Sequence, residues 1–162
     1  MLLKNFYKMC LQCGQIGYQT VKDVSGSDRT YSEKVTPYTL VLLKDGNVRT
    51  RALTDNVSQQ ICLGTGDTPV TYNDYTLSGS LITSGFNATV TTSRTQSHEI
   101  SYHIIITATA QIIIKEIAYL VRASVGDSTS SFIIERTVLP TPISLLDTES
   151  AIIDYAFSLP NA

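Results

Sequence analysis

The stretch ISYHIIITATAQIIIKEIAYLV, residues 100–121, decides the fold class of this chain. From residue 100 to 114 the even-numbered positions are apolar, while the odd ones begin with serine and histidine and continue with threonine and glutamine. A two-residue period is typical of a β-strand with one buried face. After Lys115 and Glu116 the apolar positions become odd, which predicts a turn near residues 109–111 and a bulge or edge near Lys115. A helix through the second half also fits a 3.6-residue period, but a run of isoleucines favours strands.

Short segments of strand-like composition continue this pattern on both sides, separated by turn residues rather than by helical patterns. The predicted strands are 5–12, 17–24, 38–43, 48–53, 76–83, 87–93, 132–139, 143–146 and 151–159, in addition to those of the central stretch. Residues 38–53 form a predicted hairpin around the turn 44–47, and residues 76–93 form another. About ten strands without βαβ alternation predict an all-β fold in one domain, residues 1–162. We expect an antiparallel β-sandwich, with a jelly roll as one version.

Composition excludes several function classes. Charged residues make up only 16% of the chain, the formal net charge is −2 and the pI is near 5.6. Nucleic-acid binding is therefore not expected, because no basic field is available to meet phosphates. No window of 18 apolar residues could span a membrane as a helix. The N-terminus MLLKNFYKMCLQCG lacks an apolar run long enough for a signal peptide, so we expect synthesis and retention without Sec-type export.

Cofactor and metal chemistry find little support in the sequence. Cys10 and Cys13 form a CxxC motif without a second closely spaced pair, and Cys62 stands alone, so we predict reduced, inert thiols. His98 and His103 would lie on opposite faces of a strand and could not share a metal ion. Asp67, Asn73 and Asp74 could ligate calcium through oxygen, but they lack EF-hand spacing and fit a turn better.

Catalytic motifs are equally weak. There is no GxSxG nucleophile elbow, and the GTG at 64–66 lacks the GK[ST] of a phosphate loop. A small hydrolase or zinc-dependent enzyme is therefore the least favoured of three hypotheses, and we predict neither a cofactor nor a catalytic residue.

The segment ICLGTGDTPVTYNDY, residues 61–75, contains the densest turn chemistry in the chain. Its two glycines permit positive φ or close backbone approach, and Pro69 fixes its own φ and extends the residue before it. Asn73 and Asp74 can fold back onto the backbone as Asx-turns. Such a loop is either a structural corner or a presented surface.

Glu116 and Arg136 each interrupt an apolar strand pattern that predicts partial burial. A buried charge requires a partner, so we expect a cross-strand ion pair if strands 112–121 and 132–139 are neighbours. Such a pair fixes strand register more than it adds stability. The alternative is that both side chains point to solvent.

The C-terminal 60% of the chain, about residues 61–159, resembles the small β-sandwich virion proteins of tailed bacteriophages. The segments LGTGDTPVTYNDYTL, IKEIAYLVRA, SFIIERTVLPTPISL and ESAIIDYAFSL are similar to family segments of the types "GTG, TPP, DY", "KEIGL" and "R, L, P, I" followed by a terminal strand. Ala118 stands where the family has glycine, and Thr148 replaces the glycine usual before the Glu-Ser turn. The resemblance implies a structural or host-contact part of a virus particle.

We therefore expect a structural virion protein, such as a capsid decoration, head-fibre base, collar or tail accessory component. It would be made in the host cytoplasm and act by assembly with other virion proteins. We also expect a homo-oligomer, with a trimer as one version. The alternative is a receptor- or carbohydrate-binding sandwich at a tail tip, which needs an exposed tyrosine-lined groove and a host-surface glycan. The candidate interface and structural residues are Gly64, Gly66, Pro69, Tyr72, Asp74, Tyr75, Glu116 and Arg136.

Overall fold

The computed structural model describes residues 1–5, 19–31, 47–48, 59–96, 99–125 and 128–158, and most of these residues lie in β-strands. Helical backbone occurs within them only at residues 4–5. Nine strands are present within these ranges: β1 (Gln19–Lys22), β2 (Asp28–Tyr31), β3 (Asn47–Val48), β4 (Gln59–Gly64), β5 (Phe86–Gln96), β6 (Glu99–Ala108), β7 (Ile112–Val125), β8 (Ser128–Leu145) and β9 (Ser150–Ser158). The predicted all-β class is confirmed. The count of about ten strands stays a prediction, because strands 5–12 and 38–43 lie largely outside the described residues.

The strands form two main sheets and one separate hairpin. One sheet has the order β3-β4-β7-β8 and the other the order β5-β6-β9, while β1 pairs with β2. All pairings are antiparallel except that of β3 with β4. The predicted turn at residues 109–111 is confirmed, and it carries the chain from β6 in one sheet to β7 in the other. The isoleucine-rich stretch therefore supplies a strand to each side of the core.

The main core lies between the two sheets, as in a β-sandwich. Each sheet contributes the side chains of alternate positions, as the two-residue period requires. The buried residues from the four-stranded sheet include Ile61, Leu63, Ile117, Tyr119, Val121, Phe132 and Ile134, and those from the three-stranded sheet include Phe86, Tyr102, Ile104, Ile106, Ile153, Tyr155 and Phe157. The even-numbered residues of β6 face this core, as do Ile112 and Ile114 at the start of β7. From Ile117 onwards the odd-numbered residues of β7 face it, so the predicted change of parity occurs within β7, at the bulge.

The predicted bulge near Lys115 is confirmed by the register of β7 and β8. Glu116 pairs with Val138 and Ile114 pairs with Ile143, so residues 139–142 of β8 lie opposite Lys115 alone. Both prolines of this segment are exposed. Proline has no N–H to donate to a ladder, and a bulge is a position where that donor is not needed. The two strands predicted at 132–139 and 143–146 are consequently one long, irregular strand.

The opposite face of the four-stranded sheet, called the outer face here, has a second and smaller apolar cluster. Its buried members are Leu3, Cys62, Ala118, Leu120 and Ile133. Partly buried side chains at Val24, Val70, Leu77 and Leu81 cover them. The outer face is therefore covered by the N-terminal segment, the β1–β2 hairpin and the loop between β4 and β5.

The strand predicted at residues 76–83 is wrong. This segment belongs to a loop that contains one isolated bridge, between Leu81 and Gly64, and β5 pairs with β6 rather than with the preceding segment. Asn47, predicted within a turn, lies in β3. The partner strand of the predicted 38–53 hairpin lies outside the described residues.

Candidate functional site

The β4–β5 loop, residues 65–85, folds back along the outer face. Its two arms are joined by a backbone hydrogen bond from Thr65 N to Ser80 O (3.1 Å), and the returning arm is bonded to β4 from Ile82 N to Leu63 O (2.9 Å). Between the arms, the backbone N–H groups of the loop have no strand partner. They are directed at a side chain from the sheet below.

That side chain is Glu116 of β7, which is fully buried (0% exposed). Its Oε1 accepts hydrogen bonds from the backbone N–H groups of Gly66 (3.0 Å) and Gly79 (2.9 Å). Its Oε2 accepts from Ser78, through both the backbone N–H (3.1 Å) and the hydroxyl (3.2 Å). Converging backbone N–H groups form a site for an anion, and here the anion is a carboxylate of the same chain.

Arg136 of β8 joins Glu116 to a more distant part of the loop. Its Nε donates to Glu116 Oε2 (2.7 Å), its Nη1 to Asp74 Oδ2 (2.6 Å) and its Nη2 to the carbonyl oxygen of Thr68 (2.8 Å). The arginine residue is only 1% exposed. The ion pair predicted between Glu116 and Arg136 is therefore present and buried, and the solvent-exposed alternative is wrong. We call Glu116, Arg136 and Asp74 the charge cluster.

Asp74 in turn fixes the tip of the loop. Its carboxylate accepts from the backbone N–H of Thr71 (3.0 Å) and from the Thr71 hydroxyl (2.6 Å), and its own N–H donates to the Thr71 carbonyl (3.1 Å). A local turn is thus present at Asp74, but its carboxylate bonds backwards to Thr71, whereas the predicted Asx-turn requires a bond to the backbone two residues further on. One carboxylate closes the turn and binds the buried arginine.

Glycines at 64, 66 and 79 allow the loop to approach the carboxylate this closely. A Cβ atom on Gly66 would lie 2.0 Å from Ser78 Oγ and 2.3 Å from the backbone nitrogen of Gly79. A Cβ atom on Gly64 would lie 2.7 Å from Glu116 Cγ. These glycines are required by space at the contact with Glu116.

The electrostatics of the cluster keep both acids ionised. Burial by itself would raise the pKa of Glu116, but hydrogen bonds from Ser78, Arg136 and Gly79 outweigh it and lower the pKa. The pKa of Asp74 is lowered in the same way, since burial is outweighed by hydrogen bonds from Thr71 and Arg136. A buried carboxylate that accepts this many hydrogen bonds is a poor proton acceptor. The chemistry of the cluster is therefore to hold the loop on the sheet.

Another buried acid, Glu135, lies outside the cluster. Its Oε1 accepts from the N-terminal amino group of Met1 (2.5 Å) and from the Thr137 hydroxyl (2.8 Å). Burial dominates over these contacts and raises the pKa of Glu135. Within the four-stranded sheet, the pKa of Glu135 is therefore raised, whereas the pKa of Glu116 is lowered.

The remaining predicted residues lie on the exposed side of the loop. Pro69 is exposed, Tyr72 is 48% exposed, and its carbonyl accepts the N–H of Lys4 (2.9 Å). Tyr75 is half-buried, with Gly26 beneath its ring and the ammonium group of Lys22 5.9 Å from the ring centre. The structure therefore divides the eight predicted residues into a buried set that fixes the loop and a set at its surface.

Two cavities flank the segment Asn73–Tyr75, whose first and last residues line both. One, of about 240 Å³, lies beside Arg136 and is bounded by loop residues 68–78. The other, of about 360 Å³, lies between the loop, the β1–β2 hairpin and the N-terminal segment. Both are lined by hydroxyl, amide and charged groups as well as by carbon atoms.

Metal and membrane features are sparse in the residues described. Among them, no group of three histidine, cysteine, aspartate or glutamate side chains is placed to hold a metal ion. His103 pairs with Asp154 (2.7 Å) on the exposed face of the three-stranded sheet, away from both cavities. Cys62 is a buried free thiol, whereas Cys10 and Cys13 lie outside the described ranges. No helix in those ranges has the length and apolar character needed to cross a bilayer.

Sequence reasoning missed three loop groups that complete the site: the Ser78 and Gly79 donors and the Thr68 carbonyl. Residues 78–80 read SGS, a turn signal that was available within the segment predicted as a strand. Backbone donors carry no residue-specific signature, so their target could not be identified from sequence.

No family model, curated protein or solved structure matches this chain.

Proposed function

We propose that this protein is a structural component of a bacteriophage particle, such as a capsid decoration, head-fibre base, collar or tail accessory protein, and that it acts by assembly rather than catalysis. One observation supports this most: the sheet holds an exposed loop in a fixed shape through buried charges. A loop that is ordered before binding loses less conformational entropy on contact with a partner.

The chemistry of the loop surface is compatible with such a contact. Thr68, Pro69, Thr71, Tyr72 and Asn73 are exposed and uncharged. Tyrosine contributes a large contact area, and interface centres are depleted of charge. We infer that partner contact falls on this surface or on an edge strand, with the partner another virion protein or a second copy of the chain. We also propose that the strands are connected as in a jelly roll and that the fold includes a tenth strand.

The experiment is incorporation into particles of the phage that encodes the chain. Tyr72→Arg should strongly reduce the amount of protein found by mass spectrometry in purified particles, because the bulky charge disturbs the contact. Thr109→Arg, on the exposed turn between β6 and β7, is the matched control and should be incorporated normally. Absence of the unmodified protein from particles would overturn the assembly function, and normal incorporation of Tyr72→Arg would exclude the loop as the contact.

The second candidate is a receptor- or carbohydrate-binding domain at a tail tip. The observation that favours it is the cavity of about 360 Å³ beside Tyr75, which reaches the lower end of the range for small-molecule sites. Binding of a saccharide by the isolated protein would support this candidate whether or not the protein also assembles.

A further inference from the structure

We propose that the 360 Å³ cavity binds an acidic saccharide, with the carboxylate of a uronic or sialic acid residue placed between Lys4 and Lys22. The cavity is lined by Lys4, Asn5, Thr20, Lys22, Asp28, Asn73 and Tyr75. This inference rests on the second candidate function, for which it names the class of saccharide, and it is independent of assembly because it concerns the isolated protein.

The charges of the cavity favour a ligand with a negative charge. Two lysines and one aspartate line it, which leaves an excess of one positive charge in a chain whose formal net charge is −2. Lys22 is paired with Asp28, at 3.1 Å. The ammonium group of Lys4 makes a long contact, 3.4 Å, with the amide oxygen of Asn73. Among the described residues no carboxylate lies within ion-pair distance of Lys4, so a ligand carboxylate would supply the missing partner.

The rigidity of the walls also favours binding. Asn5 is 4% exposed, and its side-chain amide binds both the carbonyl oxygen (2.7 Å) and the N–H (3.3 Å) of Lys22. The Lys22 ammonium also donates to the carbonyl oxygen of Gly26 (3.2 Å) and lies near the Tyr75 ring. The N–H of Lys4 is bound to the loop at Tyr72. Three separate chain segments are therefore fixed around the cavity before any ligand enters.

The remaining lining distinguishes a saccharide from a bare anion. Asn73 and Asp28 present amide and carboxylate groups that can exchange hydrogen bonds with sugar hydroxyls. Tyr75 provides a partly exposed aromatic edge for C–H groups. An inorganic anion would use the lysines and leave these groups and most of the volume unused.

The test is an NMR titration of the full chain with sodium glucuronate, compared with glucose and inorganic phosphate. We expect saturable shifts at the amides of Lys4, Lys22, Asn73 and Tyr75, with a dissociation constant of about 1 mM, typical of so small a ligand. The affinity for glucose should be lower by roughly tenfold or more, because glucose has no carboxylate to form charged hydrogen bonds with the lysines. Added salt should weaken glucuronate binding, since the cavity is open to solvent.

Matched lysine variants separate this site from general surface charge. Lys4→Gln should weaken glucuronate binding roughly tenfold, and Lys22→Gln should do so as well. Lys115→Gln removes a partly exposed lysine that pairs with Asp67 outside the cavity, and it should leave binding unchanged. Thermal melting of each variant confirms that it is folded. Absence of saturable shifts, equal weakening by Lys115→Gln, or equal binding of glucose would overturn the proposal, and equal binding of phosphate would overturn its saccharide part.

Discussion

The two faces of the four-stranded sheet are held by different kinds of interaction. The inner face packs apolar side chains against the three-stranded sheet, whereas the outer face combines a small apolar cluster with ionised groups that fix the β4–β5 loop. Apolar packing tolerates changes of shape if volume is kept, because dispersion has no direction. A buried ion pair tolerates the loss of neither partner. Each face should therefore respond differently to mutation.

The largest effect is expected at the charge cluster. Arg136→Ala or Glu116→Ala should each reduce the free energy of unfolding by about 3–5 kcal/mol, because a buried charge is left without its partner. The double variant should lose less than the sum of the two, as interacting residues do. Urea unfolding of the four proteins measures the coupling.

The exposed pair His103 and Asp154 is the control for this cycle. Its single alanine changes should have small and additive effects, since solvent screens the pair. On the inner face, Ile104→Leu should cost less than about 1.5 kcal/mol, because volume is conserved. Small, additive effects at Glu116 and Arg136 would contradict the assignment of the cluster as the element that fixes the outer face.

The next effect concerns the space between loop and carboxylate. Gly66→Ala should destabilise by about 1–3 kcal/mol, because the new methyl group meets backbone and Glu116 atoms that cannot all move away. Thr76→Ala, at an exposed position of the same loop, is the control and should be nearly neutral. Thermal unfolding compares the two, and an unchanged midpoint for Gly66→Ala would show that the loop can leave the sheet without cost.

As pH falls, the ionic interactions of the outer face should weaken before the apolar packing of the inner face does. The pKa values of Glu116 and Asp74 are lowered in the folded state, so their contribution is present above the usual values of 4.5 and 3.8 and is lost as pH falls through the folded pKa values. The stability contributed by Glu135 depends on pH in the opposite direction, because its pKa is raised in the folded state. That contribution is present at low pH and is lost as pH rises through the folded-state pKa of Glu135.

Melting temperatures measured across the acid range test this linkage. The unmodified protein should lose stability below about pH 4.5. Glu116→Gln should be less stable at neutral pH, and its melting temperature should fall less steeply as pH decreases through the acid range. An acid limb of unchanged steepness in Glu116→Gln would assign the pH dependence to other carboxylates.

The smallest effect lies at the end of the inner core, in the turn between β8 and β9. Thr148 has φ = 70°, a left-handed conformation that a β-branched residue adopts only under strain. Thr148→Gly should stabilise the protein by about 0.5–1 kcal/mol, the relief of strain being partly offset by the freedom of glycine in the unfolded chain. Thr109→Gly, whose φ is not positive, should bring no gain, and a loss of stability in Thr148→Gly would contradict the role of strain.

The same contrast explains what the sequence could predict. The apolar positions of residues 100–121 assign β6, β7, their turn and the bulge, because two-residue periodicity is local in the chain. Glu116 and Arg136 were identifiable because each interrupts an apolar pattern. Thr76–Thr83 alternates like a strand, yet its N–H groups near residues 78–79 bind a carboxylate contributed by another strand, so local pattern gave the wrong structure there.

Asp74 shows the limit most clearly. Its turn with Thr71 is local, but its bond to Arg136 joins residues 62 positions apart. No spacing rule relates such positions, since the contact exists only after the sheet has formed. The lining of the larger cavity, which joins residues 4–5, 20–28 and 73–75, was unpredictable for the same reason.

The long sequence separations within the charge cluster also bear on the order of folding. Glu116 reaches Gly66 across 50 positions and Arg136 reaches Asp74 across 62, whereas β7 and β8 are joined by a short connection. Closing such distant contacts costs chain entropy that nearby hairpins avoid, so the loop is expected to lock onto the sheet after the rate-limiting barrier. Substitutions in the cluster should then accelerate unfolding and leave the refolding rate nearly unchanged. The charge cluster would therefore stabilise the native state chiefly by lowering the unfolding rate.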